Sequence, residues 1–71
     1  MSTPREIAIR EQTIRLGQLL KLAGLADSGA HAGALVQEGA VSVDGEIETR
    51  RGRQLRRGAL VEVGPEVVRV V

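Results

Sequence analysis

The sequence predicts an α+β domain: a possible first strand, two short helices, then three or four short strands. Three observations carry this reading. Apolar residues recur at helical spacing between Arg15 and Glu38. After Gly39 they alternate at strand spacing, and Gly, Pro and Asp-Gly punctuate the segments. Helix-period segments followed by a run of strand-period segments are the mark of the class. At 71 residues the chain is one domain.

Residues 1–6 are polar around Pro4 and read as a loose tip. Residues 6–12 alternate apolar and polar, which suits a short strand and an extended lead-in equally. The period then changes. Leu16, Leu19, Leu20 and Ala23 fall on one helical face, which Leu22 and Leu25 widen. Thr13 is a candidate N-cap and Gly24 a natural residue to follow the helix. Asp27 or Ser28 can open a second helix over Ser28–Glu38, with Ala32, Leu35 and Val36 as its stripe and Gly39 as its stop. Gly33 costs roughly 1 kcal/mol relative to Ala there. It implies either close packing on the first helix or a ligand approaching the backbone.

Val41-Ser42-Val43, Asp44-Gly45 and Glu46-Ile47-Glu48 form a strong hairpin signal. A two-residue turn places Val43 on the side of Glu46, and Ile47 on the other. A bulge, a longer loop or an early end to pairing would each resolve that conflict. Residues 50–58 are basic, with Leu55 their main apolar residue. Ala59–Val63 and Val67–Val71 read as strands joined by a Gly64-Pro65-Glu66 turn.

Composition removes whole classes of function. There is no Cys, so disulfides, thiolate zinc sites and cysteine nucleophiles are excluded. One His excludes a multi-histidine metal cage. Without Phe, Tyr or Trp, RNA modules that stack bases on aromatic rings are excluded. No apolar run approaches the ~20 residues that span a bilayer, and the N-terminal residues carry no secretory signal. The expectation is a cytoplasmic, monomeric protein without metal or cofactor. Ser28 and His31 lie three apart, but no third orienting group accompanies them, so catalysis is not expected.

Arg15-Leu16 at one helix, Ser28-Gly29-Ala30 opening a second, Gly39-Ala40-Val41-Ser42-Val43-Asp44-Gly45, and Glu48-Thr49-Arg50-Arg51 together resemble a known pattern. It is that of the ribosomal-protein-S-four RNA-binding (αL) domain, in its small stand-alone bacterial, YbcJ-like branch. The resemblance runs over roughly residues 14–63. It implies the αL RNA-binding fold, with two helices packed on a small, mostly antiparallel sheet of three to five short strands, binding structured RNA. Residues 1–12 would be a lead-in and 13–71 the domain. Gly29 stands where many relatives carry an RNA-contacting Arg, and Gly33 and Ala34 where basic residues are common. Gly17 stands where an acid often follows Arg-Leu.

The charge distribution supports a polyanion as partner. Arg50, Arg51, Arg53, Arg56 and Arg57 lie within eight residues that contain no acid, while the rest of the chain carries five cations and all nine acids. The molecule is thus +5 in one stretch and −4 elsewhere. Such a focused field draws a polyanion, and a guanidinium grips phosphate bidentately or stacks on a base. Arg15, Lys21 and His31 complete the candidate RNA-binding set. Arg15 and Lys21 fall about 120° apart if both are helical. His31 occupies the first turn of the second helix, where free N–H groups favour phosphate. Arg5, Arg10 and Arg69 read as plain surface. The partner expected is structured RNA: ribosomal, transfer or another folded RNA. The alternative is an adaptor docking an acidic protein through the arginines, or pairing through an exposed Val67–Val71 edge.

Overall fold

The computed structural model describes residues 3–71; Met1 and Ser2, part of the expected loose tip, lie outside the described residues. The elements are β1 (Arg5–Ile7), β2 (Thr13–Arg15), α1 (Leu16–Leu22), α2 (Gly29–Gln37), β3 (Val41–Val43), β4 (Glu46–Ile47), β5 (Gln54–Arg56), β6 (Leu60–Val63) and β7 (Glu66–Val70). Five strands form a sheet of order β1-β7-β6-β3-β4, antiparallel except for β1 beside β7. β2 and β5 form a separate antiparallel ribbon. The predicted two helices and mostly antiparallel sheet are therefore present, with more strands than expected.

Helix α1 starts one residue after β2 ends. Thr13 lies within β2 and cannot cap it; Arg15, in extended conformation, is the N-cap. The Gln18 side-chain oxygen accepts the Arg15 N–H at 3.3 Å. The next two N–H groups donate to the basic segment: Leu16 to the Arg53 carbonyl at 2.8 Å and Gly17 to the Arg51 carbonyl at 2.9 Å. Backbone from residues 51–53 thus satisfies donors a helix start leaves open. Leu22 does not widen the buried stripe and is 57% exposed. At 100° per residue it falls 200° from Leu20, on the far side of the helix.

Helix α2 follows its predicted limits closely. The Ser28 hydroxyl accepts the His31 N–H at 3.1 Å. Gly39 takes φ +78°, which lets the chain turn out of the helix. Ala32 and Val36 are fully buried, with Leu35 packed beside them. Together with Leu16, Leu19, Leu20, Val41, Val43, Leu55, Val61 and Val70 they form an aliphatic core between the helices and the sheet.

The hairpin keeps the two-residue register, with no bulge, longer loop or early end to pairing, and the conflict is met by leaving Ile47 in solvent. Asp44 and Gly45 both take positive φ (51° and 87°) in a two-residue turn, and Val43 faces Glu46 while Ser42 faces Ile47. Ile47, the last residue of β4, stays on the outer face and is 69% exposed. The next residue, Glu48, donates its N–H to the Val41 carbonyl at 3.0 Å and is only 7% exposed.

Two expectations are corrected at the sheet edges. The first strand is Arg5–Ile7 rather than residues 6–12, and Pro4 does not prevent it. Proline is tolerated just ahead of an edge strand because no ladder bond is lost. β7 is not an exposed edge: β1 pairs with one side of it and β6 with the other. Partner docking by strand addition at Val67–Val71 therefore has no free backbone to use. The β2–β5 ribbon was not anticipated. Three-residue strands are too short to show a period, but Leu55, 2% exposed, anchors β5 in the core.

Candidate nucleic-acid interface

The five clustered arginines do not form a uniform ledge. Arg50 and Arg53 are organised by Glu48. One carboxylate oxygen of Glu48 accepts the Thr49 and Arg50 N–H groups, both at 3.0 Å, and the Arg50 Nε at 3.4 Å. The other accepts from the Arg53 guanidinium at 3.1 Å. The Arg50 backbone N–H is the largest influence holding the Glu48 carboxyl down at about 2, from an ordinary 4.5. Burial opposes it, and the guanidinium groups of Arg53 and Arg50 add to the lowering. The acid-free reading of residues 50–57 omitted this residue, and with it the segment carries +4. Arg50 remains largely in solvent, its side chain 77% exposed, whereas that of Arg53 is 36% exposed.

Arg51 is placed by two glycines. A Cβ at Gly17 would lie 3.5 Å from both Cβ and the carbonyl oxygen of Arg51. One at Gly33 would lie 3.4 Å from an Arg51 guanidinium nitrogen. Arg51 thus crosses from the start of α1 to the middle of α2. Gly33 admits neither α1 nor a ligand to the backbone but a side chain of the basic segment, which brings a cation to the face of α2 that lacks its own. Gly29, one turn earlier on the same face, has open space above it.

The ribbon supplies a second group. Arg15 pairs across from Gln54, and Thr13 from Arg56. Cross-strand partners point to one face, so these four side chains lie together, opposite Ile14 and Leu55. Arg15 and Lys21 line one open groove with Gln18, Arg10 and Gln54. The helical angle between Arg15 and Lys21 does not apply, because Arg15 is extended rather than helical.

Two candidates stand apart. Arg57 donates to the Ile9 carbonyl at 2.9 Å and so ties β5 to the N-terminal segment. His31 falls 200° around α2 from Gly33, away from Arg51. Its Nδ1 accepts the Asp27 N–H at 3.0 Å, closing the turn before the helix. Arg5 and Arg69 are not plain surface either: Arg5 donates to the Ala23 carbonyl and Arg69 to that of Gly58. Sequence reasoning missed Glu48, Arg10, Gln18 and Gln54. For Glu48 the signal was available: in the two-residue hairpin it falls on the inward side of Val41 and Val43, followed closely by arginines.

An αL fold whose arginine-rich segment docks its backbone on the start of α1 is the architecture of one class of RNA-associated domain. The chain belongs to the S4 domain family, whose model matches residues 7–71. It is 41% identical over 58 residues to an Escherichia coli (strain K12) protein named "Putative RNA-binding protein YbcJ", covering 82% of this chain and 83% of that one. It is 44% identical over 57 residues to the "Probable ribosome maturation protein RlbA" of Bacillus subtilis (strain 168), covering 80% of each. The solution structure of Escherichia coli YbcJ, described as revealing an αL motif involved in RNA binding, superposes with a TM-score of 0.74 at 36% identity. That match covers 100% of this chain and 91% of the other. Ribosomal protein S4e of Thermoplasma acidophilum shares the fold, with a TM-score of 0.66 at 24% identity over 87% of this chain and 33% of its own.

Proposed function

We propose that the protein binds structured RNA, with ribosomal RNA as the leading partner, and does so without catalysis in the cytoplasm. The observation that carries this reading is the display of Arg51 and Arg56 from rigid supports: one seated on Gly17 and Gly33, the other on a strand anchored by Leu55. Arg50, Arg15 and Lys21 extend the positive surface, and Arg53 serves mainly to hold the segment through Glu48. Contacts of this kind read the contour and phosphates of a folded RNA rather than its sequence. The relatives named for RNA binding and for ribosome maturation support this reading. No helix among the described residues is long and apolar enough to cross a membrane.

The test is binding of a folded ribosomal RNA fragment by the wild type and by Arg51→Glu/Arg56→Glu. The double variant keeps its fold by circular dichroism and loses binding at least tenfold. Undiminished binding rejects the assignment. Arg53 is unsuited to charge reversal, because a second carboxylate would then face Glu48 at hydrogen-bond distance.

A further inference from the structure

The groove beside α1 is more than a row of cations. Its walls are the chain from Ala8 to Arg15 and the outer side of α1. Leu22 contributes an apolar surface that is 57% exposed, in a molecule with few exposed large hydrophobic side chains. Arg10, Arg15 and Lys21 share the lining with it, and Glu11 is the one acid there. Gln18 and Gln54 add amides able to meet the edge of a base. Gln54 also lines a second hollow with Arg50, Gly52 and Arg53, so it borders both the groove and the basic segment.

We propose that this groove takes one unpaired nucleotide of the bound RNA. The base lies against Leu22 and the aliphatic stem of Lys21, and its phosphates meet Arg10 and Arg15. Three features favour that occupant. The cations on the groove match a polyanion, and Leu22 on its wall offers apolar contact that a phosphate alone would not use. Because Gln54 borders both hollows, a strand held by the basic segment can deliver a neighbouring nucleotide to the groove. A nucleotide in a helical stem keeps its base stacked, whereas a bulged one presents its faces and edges to side chains. The proposal rests on the RNA-binding reading above and specifies the kind of RNA.

The experiment compares two hairpin RNAs of identical stem, one fully paired and one with a single bulged nucleotide. Wild-type protein binds the bulged RNA roughly fivefold more tightly, the scale expected for covering part of an exposed leucine side chain. Leu22→Ser abolishes that preference and leaves affinity for the paired hairpin unchanged. Arg51→Glu weakens both by a similar factor and keeps the preference. Equal wild-type affinity for the two hairpins overturns the groove assignment while leaving RNA binding intact, as does a preference that survives Leu22→Ser. Binding to neither hairpin overturns the RNA reading and this proposal with it.

Discussion

Glu48 and Arg53 join across the basic segment, carboxylate oxygen to guanidinium nitrogen at 3.1 Å, and the pair fixes where the segment meets α1. The Arg53 carbonyl accepts the Leu16 N–H at the helix start. One residue therefore links the hairpin, through Glu48, to the first helix. The buried carboxylate organises the arginines around it more than it subtracts from their charge.

That link makes stability sensitive to acid. The folded-state pKa of Glu48 is about 2, against an ordinary 4.5. A depressed carboxylate stabilises the fold fully above its unfolded value, and the contribution is lost as pH falls through the folded one. Glu48→Gln should accordingly be less stable than wild type at neutral pH, with the gap narrowing between about pH 4.5 and pH 2. Urea unfolding at several pH values checks this. A gap that does not change with pH would show that the carboxylate charge is immaterial.

Gly33 separates stability from binding. Gly33→Ala relieves the helix cost of glycine and should stabilise by about 0.5–1 kcal/mol. The new methyl meets only the Arg51 side chain, Nη1 at 3.4 Å and Cδ at 3.5 Å, in ordinary contact. Gly33→Leu should instead push the Arg51 guanidinium off α2 and weaken RNA binding severalfold in a folded protein. Thermal melts and RNA titrations of the two variants distinguish these effects.

Leu55 connects the ribbon to the core. Leu55→Ala removes a side chain that is 2% exposed and should cost about 2–5 kcal/mol. In a domain this small that is a large share of the total stability. Urea denaturation should show a strongly reduced midpoint. A change under 1 kcal/mol would mean that β5 is not anchored as described.

The helices were legible because their signals are local: the Leu16, Leu19 and Leu20 stripe, the Ser28 cap and the Gly24 and Gly39 stops all act within a turn or two. The Asp44-Gly45 hairpin was legible for the same reason. The ribbon was not, because Thr13–Arg15 and Gln54–Arg56 find each other across 41 residues and neither shows a period alone. The arginines were visible as a charge run. Their division into anchored and displayed members depends on Glu48, Gly17 and Gly33, whose roles exist only once the hairpin register and helix packing bring them near. That α2 carries no Lys or Arg is plain from its sequence, but Arg51 reaching over it from another segment is a tertiary contact.

The most direct test of the account is the salt dependence of RNA binding. With about four phosphates neutralised, log K should fall against log salt concentration with a slope of roughly −2.8 to −3.6, and reversing Arg51 and Arg56 together should flatten it by about two phosphates' worth. A wild-type slope near zero, or one that the double variant leaves unchanged, would contradict the claim that these arginines hold RNA by its phosphates.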